Sequence, residues 1–383
     1  MDMKKKIIIF TSSGGGGHEA AAKAIDGYLK NDYQIEHTYI FSHVLVPLDL
    51  ISHITFGKAN GEKFYNWLIC KKYLRLLNMF ARLGKWVFSI SKNSVRRHIK
   101  NYLTINRPDL IISVIPYVND GILTAAQELA IPFILIPTDL DATNFISNLD
   151  TSKHKGFWLI SSFNDQAIKE IIMDVRIPES QLLVGGFPVR TSFFTSKDTR
   201  AIKKEHSIPE DKPVLFMLMG AAGSDVMYDF TQELNNISFP LHLILILGRN
   251  GQLRPKLEAL IAQSKFLTAT IFDVTDLIAD LMAVSDLCII KSGSVSVSET
   301  IYSNLPILLD ATGPILKWEQ FNHTFVKKHG FGECIPSYAD IVPLVKKFLK
   351  DTHKYAQMKM KLIDFEKKNL EDTLRQLLND ILG

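Results

Sequence analysis

Short apolar runs that end in small-residue turns, each turn opening a helix-forming segment, recur along this chain and leave it few folds to adopt. Ile7-Ile8-Ile9-Phe10 runs into Thr11-Ser12-Ser13-Gly14-Gly15-Gly16-Gly17-His18. Strong helix formers follow, with an apolar stripe at Ala21, Ala24, Ile25, Tyr28 and Leu29. Similar runs at 110–114, 132–136, 156–160, 181–184, 213–219, 243–247, 270–274, 286–290 and 306–309 read as buried strands, with helical patterns at 120–130 and 277–283 between them. This alternation predicts βαβ units and parallel sheets, an α/β fold. Residues 191–212 are polar and charged, and at Pro213 the design starts again: a buried strand feeds Gly220-Ala221-Ala222-Gly223-Ser224-Asp225. A length of 383 residues is long for one core and comfortable for two. The expectation is two doubly wound, Rossmann-like domains, 1–190 and 191–350, followed by a lysine-rich, solvated C-terminal helix at 351–383.

The turn richest in chemistry is Lys291-Ser292-Gly293-Ser294-Val295-Ser296-Val297-Ser298-Glu299-Thr300. A strand-to-helix turn of small residues points backbone N–H groups and the positive end of a helix at an anion. Glu299 lies inside the first turns of that helix, where an acid is unsuited to phosphate but suited to a sugar diol. The pair reads as a nucleotide site; the plainer reading is a serine-rich turn with a dipole-favoured acid. The glycine loop before His18 is neither a Walker P-loop nor a dinucleotide fingerprint, since no Gly-Lys-Ser/Thr follows and Glu19 stands where a third glycine belongs. It remains a donor-rich loop, with His18 a general base or phosphate donor, or else a solvent-facing first-turn histidine. Asp139, at the carboxyl end of a strand, is a further site candidate, as is Arg249 for phosphate. Asp139 and Asp141 form a DxD pattern too common to imply a metal.

The composition, 46% apolar and 22% charged, is that of a soluble globular protein. Three scattered cysteines, without ligand spacing, argue against a disulfide framework or a structural zinc and fit a reducing compartment. No apolar stretch reaches membrane-span length, and the N-terminal apolar run is too short for a signal peptide. The net charge of +4 hides an asymmetry: residues 56–107 hold twelve basic residues against one acid, Glu62. Lys71, Lys72, Arg75, Arg82 and Lys85 are interleaved there with Trp67, Tyr73, Leu77, Met79, Phe80 and Trp86. That mixture suits an interfacial helix on anionic lipid, or a helical lobe with its aromatics in the core, in preference to nucleic acid.

These motifs, in this order, resemble the monogalactosyldiacylglycerol synthase and processive diacylglycerol glucosyltransferase family, MurG-like glycosyltransferases of GT-B fold. Gly14 to Ile25 resembles that family's G-G-G-H-x-A-A-x-A-I segment. Ile177-Pro178-Glu179-Ser180-Gln181 with Gly186-Phe187-Pro188-Val189-Arg190 is similar to its IPES…GIPVR junction, and Gly248-Arg249-Asn250 to its GRN. Lys291 to Glu299 is similar to its KxGxxTxxE donor segment, and Glu319 to Asn322 to its Q/E-rich loop. The resemblance implies two domains facing a cleft and an inverting transfer of a hexose from a UDP-sugar to a diacylglycerol-type hydroxyl, by a peripheral membrane protein on the cytoplasmic face. It implies no cofactor or metal. Ser292, Gly293, Ser294 and Ser296 would hold the diphosphate, with Gly220, Gly223 and Arg249 also on the donor side. Glu299 would hold the ribose, Phe272 and Val274 the uracil edge, and Glu319 and Gln320 the sugar. Gly15, Gly16, Gly17 and His18 would cover the sugar–phosphate linkage, with His18 or Asp139 as base. Lys71, Arg75, Arg82, Lys85 and Trp86 would face the membrane and its lipid acceptor. The plant galactolipid enzymes carry an aspartate five residues before the loop histidine; here that residue is Ser13. Rival readings are transfer to another lipid-linked or protein acceptor, a UDP-GlcNAc 2-epimerase, and a nucleotide binder without catalysis.

Overall fold

The computed structural model describes residues 4–71, 73–151, 154–173 and 177–383. Lys72 lies outside the described residues, as do the side chains of Cys70 and Leu74. The chain divides into two compact units, Met1–Thr191 with Glu366–Gly383, and Ser192–Phe365.

The first unit holds β1 (Lys6–Thr11), β2 (Gln34–Tyr39), β3 (Leu110–Ser113), β4 (Phe133–Leu135), β5 (Phe157–Ser161) and β6 (Leu182–Val184). All neighbours pair parallel, in the order β2-β1-β3-β4-β5-β6. Helices cover both faces, which is why the central strands are continuous apolar runs: Ile7, Ile8, Ile9 and Phe10 are fully buried. The chain steps from β1 to one side for β2 and returns to the other side for β3. The reversal lies between β1 and β3, and the crevice past the carboxyl ends of such strands is where open α/β sheets take ligands. The glycine loop follows β1, so the sheet delivers it to that crevice.

The second unit repeats the plan with β7 (Val214–Leu218), β8 (Leu241–Ile246), β9 (Leu267–Phe272), β10 (Leu287–Ile290), β11 (Ile307–Asp310) and β12 (Gly332–Ile335). The order is β12-β11-β10-β7-β8-β9, again all parallel. Its reversal lies between β7 and β10. The turns that leave these two strands are the 220–225 and 291–293 segments.

Three features depart from the sequence reading. The strands β2 and β12 escape the sequence reading because they are outer strands whose half-buried polar positions, such as Glu36, His37 and Glu333, break the apolar run. The tail is two helices, Thr352–Asp364 and Leu370–Leu382, and neither is simply solvated. Met358 joins the core of the second unit. Leu370, Leu374 and Leu378 are fully buried in the core of the first, beside Tyr28, Leu29 and Ile160. The last helix is fastened by Arg375 to Asp32 (2.6 Å) and by the Thr373 hydroxyl donating to the Gly185 carbonyl (3.2 Å). It approaches so closely that a Cβ at Gly185 would lie 2.9 Å from Thr373 Cγ2. The lysines of the tail concealed an apolar stripe at four-residue spacing.

Candidate functional site

In the first unit Gly15 and Gly16 take left-handed φ values of 76° and 86°, which only glycine adopts without strain, and helix Gly17–Leu29 opens directly behind them. This sets His18 in the first turn. His18 Nδ1 lies 2.9 Å from the Val114 carbonyl, just past β3, and 2.8 Å from Thr138 Oγ1. A carbonyl only accepts, so Nδ1 carries the proton and Nε2 is the unprotonated nitrogen. Burial pushes the ring's pKa down to about 4, opposed in part by the Val114 hydrogen bond and the charge of Glu62. His18 is therefore neutral near pH 7 and ready to accept a proton at Nε2. The residue that orients it is Thr138, the neighbour of Asp139. Asp139 itself is half-buried and its charge acts on Tyr117. Asp141 accepts hydrogen bonds from the Thr143 backbone (3.0 Å) and hydroxyl (2.5 Å). Among the described residues no group of three or more His, Cys, Asp or Glu side chains is placed to hold a metal.

Helix Gly61–Cys70 lies over the glycine loop. Glu62, Tyr65, Asn66 and Ile69 share one face at helical spacing. Glu62 Oε1 accepts from the Ser13 N–H (2.8 Å) and the Ser12 hydroxyl (2.7 Å). Asn66 accepts from the Gly15 N–H (2.9 Å) and donates to the Ser13 carbonyl (3.0 Å). The Gly14 N–H goes to Ser12 Oγ (3.1 Å), and a Cβ there would meet the Tyr65 ring at 3.5 Å. The amides of residues 13–15 are thus engaged by side chains, while the first N–H groups of the helix that follows, Gly17 and His18 among them, have no acceptor within the helix, whose first bond runs from the Ala20 N–H to the Gly16 carbonyl. Glu62 and Asn66 were missed in the sequence because nothing local ties them to residues about fifty positions earlier.

The following helix, Leu74–Ile90, buries Leu77 but turns Leu76, Met79, Leu83, Trp86 and Ile90 outward, each 48–64% exposed. The spacing is alternately three and four residues, a continuous apolar stripe on one face. Lys71, Arg75, Arg82 and Lys85 are all exposed around it, and Trp67 and Tyr73 add to it. The aromatics of this region divide between the two readings: Phe64 packs on Phe80 and Phe41 on Phe88, while the tryptophans face outward.

In the second unit, helix Ser294–Tyr302 opens at Gly293 beyond β10. Ser292, Ser294 and Glu299 are buried, and Ser296 half-buried. The turn is held from behind by Asn322, fully buried, whose Nδ2 donates to the Ser292 carbonyl (2.6 Å) and to Ser294 Oγ (3.0 Å). His323 bonds Ser292 Oγ through Nε2 and approaches Cys334 Sγ at 3.1 Å through Nδ1. Burial lowers the His323 pKa, so the ring is neutral and relays these bonds without charge. Glu319 is buried, its pKa raised by desolvation against the pull of Lys291, whose Nζ lies 3.9 Å away. A Cβ at Gly293 would fall 3.9 Å from Glu319 Oε1, so Glu319 stands against the turn, whereas Gln320 is exposed at the start of helix Gln320–His329.

The two turns beside it fit together closely. Gly220 and Gly223 have φ of 77° and 72°, and a Cβ at Gly223 would lie 2.1 Å from the Leu247 carbonyl oxygen. The Arg249 backbone N–H donates to the Ala221 carbonyl (3.1 Å), leaving its side chain exposed. Phe272 ends β9 with its ring edge-on to His206 (5.5 Å), and Val274 is 74% exposed in the loop beyond. The structure thus gathers 220–223, 249 and 291–299 near one switch point, with Glu319 and Asn322 behind the turn.

No protein-family model matches the chain. It is similar to processive diacylglycerol beta-glucosyltransferases. That of Staphylococcus saprophyticus is 26% identical over 276 residues, 69% of this chain and 68% of the relative. That of Staphylococcus carnosus is 23% identical over 337 residues, 85% and 82%. The crystal structure of Acinetobacter baumannii MurG superposes with a TM-score of 0.66 at 15% identity, over 98% of this chain and 99% of that one. Two parallel six-stranded sheets and the superposition on MurG show a GT-B fold, and the sequence is similar to those of processive diacylglycerol beta-glucosyltransferases.

Proposed function

We propose that the protein transfers a hexose from a UDP-sugar to a diacylglycerol-type hydroxyl, with inversion, while bound peripherally to the cytoplasmic face of an anionic membrane. The observation that carries this reading is the buried 292–299 turn, held in shape by Asn322 at the second unit's switch point with Glu299 inside the helix it opens. The amides and hydroxyls of Ser292, Ser294 and Ser296 bind the diphosphate, helped by Arg249 and the 220–223 turn. Glu299 takes the ribose diol and Glu319 the sugar hydroxyls; its place against Gly293 favours it over the exposed Gln320. Phe272 and Val274 border the uracil.

His18 is the base. Its Nε2 takes the proton of the acceptor hydroxyl as that oxygen bonds to the anomeric carbon, on the face opposite the diphosphate. The bond from that carbon to phosphate oxygen breaks, and UDP leaves with the electron pair, its charge met by N–H groups. No resident cofactor or metal takes part in this scheme. The outward stripe Leu76, Met79, Leu83, Trp86 and Ile90, ringed by Lys71, Arg75, Arg82 and Lys85, supports the membrane half of the reading, as do the names of the relatives. No helix among the described residues is long and apolar enough to cross a membrane, so attachment through such a stripe accords with the fold.

The test is UDP release from a panel of UDP-sugars, with and without vesicles containing diacylglycerol and anionic lipid. The expected result is release that requires both one sugar and the lipid. Conversion of UDP-GlcNAc to its 2-epimer without lipid, or UDP binding with no turnover on any acceptor, would contradict it.

A further inference from the structure

Glu62 is the one acid in the basic stretch 56–107, and the structure places it away from solvent, 7% exposed, against the start of the glycine loop. Its Oε1 takes both available donors, the Ser13 N–H and the Ser12 hydroxyl. Its Oε2 is buried and makes no hydrogen bond among the described residues. As a mere tie for the loop this is a poor choice. A glutamine would accept the same two hydrogen bonds without burying a charge, and an unsatisfied buried carboxylate oxygen is costly. A group kept in such a state calls for a reason that needs the charge.

The neighbourhood supplies one. His18 has no carboxylate on its Nδ1, which is committed to Val114 and Thr138. Of the nearby ionisable groups, Glu19 is tied to Lys23 (3.0 Å) and Tyr39 (3.3 Å), Asp139 acts on Tyr117, and Glu62 is the one whose charge acts on the imidazole. Thr138, Val114 and the Phe145 ring, which lie against His18, are uncharged.

We propose that Glu62 is a positioning residue for proton transfer: Oε1 sets the glycine loop, and its desolvated negative charge stabilises the imidazolium formed when His18 Nε2 takes the acceptor's proton. This rests on the reading of His18 as the base. Nothing is oxidised or reduced; the proton moves from the acceptor oxygen to Nε2, and the electron pair of the breaking bond leaves with UDP. The helix that holds this charge packs through Phe64 on Phe80 of the helix that carries the exposed stripe, so the proposed proton transfer and that lobe are joined through one helix pair.

Two variants separate tie from charge. Glu62→Gln keeps an acceptor for Ser12 and Ser13; Glu62→Ala removes both functions. The titration of His18 is followed by NMR on histidine-labelled protein, assigned against His18→Gln, and kcat is measured against pH. In Glu62→Gln the amide of Ser13 stays protected from exchange, and the His18 titration moves below its wild-type position. The acid limb of the pH profile moves the same way, and kcat falls about 10-fold with the KM for the UDP-sugar little changed. Glu62→Asp recovers part of the loss. Glu62→Ala also loses the Ser13 protection. An unmoved His18 titration in Glu62→Gln, or wild-type kcat, overturns the proposal. If wild-type protein forms no glycolipid, the reaction assigned above fails; a shift of the His18 titration in Glu62→Gln then still upholds the electrostatic link, and its absence refutes it.

Discussion

Each sheet carries a small-residue turn at its switch point, after β1 in one and after β10 in the other, yet the two turns are held in different ways. The 291–293 turn is braced from its own unit, by the helix two elements on: Asn322 grips its backbone and His323 its first serine. The glycine loop is gripped by a helix inserted between β2 and β3, through Glu62 and Asn66. The first arrangement braces the turn through Asn322 and His323 of its own α/β sandwich. The second hands control of the loop to a lobe whose other surface is an unpaired apolar stripe. On the function proposed above, local bracing would suit a cradle for the nucleotide, and the tie through Glu62 and Asn66 would link the glycine loop to the lobe proposed to meet the acceptor.

The largest effect that would sharpen this contrast comes from His18→Ala. Turnover should fall by about 100- to 10,000-fold while UDP binding, measured by calorimetry, stays within error. Equal loss of both would place His18 with the cradle. Next is Gly223→Ala, where a Cβ would sit 2.1 Å from a backbone oxygen at φ +72°. Urea denaturation should show a loss of about 2–4 kcal/mol, and an unaltered midpoint would mean the 220–225 and 247–250 turns part easily. Asn322→Ala should cost about 1–3 kcal/mol of UDP affinity and leave vesicle binding intact. Asn66→Ala should be smallest, about 1 kcal/mol in stability, but should speed hydrogen exchange at Gly15 without touching UDP affinity. If Asn66→Ala weakened UDP binding as much as Asn322→Ala, the division of labour between the two turns would not hold.

Most of the fold was legible because fully buried parallel strands must be apolar throughout, and Ile7 to Phe10 or Leu287 to Ile290 leave no other reading. The glycine loop and the 291–300 turn were legible for a similar reason: backbone that must turn sharply before a helix is written in Gly and Ser. What escaped was whatever depended on partners far along the chain. Glu62 registered only as the odd acid among twelve basic residues, although its partners are Ser12 and Ser13. The strand end was located at Asp139, while the side chain that meets the imidazole is Thr138, one residue earlier. The lysines of the preceding segment outweigh Leu370, Leu374 and Leu378 in the sequence pattern, and only the folded first unit shows them packed in the core with Tyr28, Leu29 and Ile160. The aromatics of the 56–107 lobe could be sorted into core and surface only once Leu77 was seen facing inward and Leu76, Met79, Leu83, Trp86 and Ile90 outward.

The most direct test follows labelled hexose from a UDP-sugar into an organic-soluble lipid, using vesicles with diacylglycerol and comparing wild-type protein with His18→Ala. The account predicts a β-linked glycolipid from an α-linked donor, formed by the wild type and reduced at least 100-fold in the variant. UDP released with no label in the lipid, an α-linked product, or undiminished transfer by His18→Ala would contradict it.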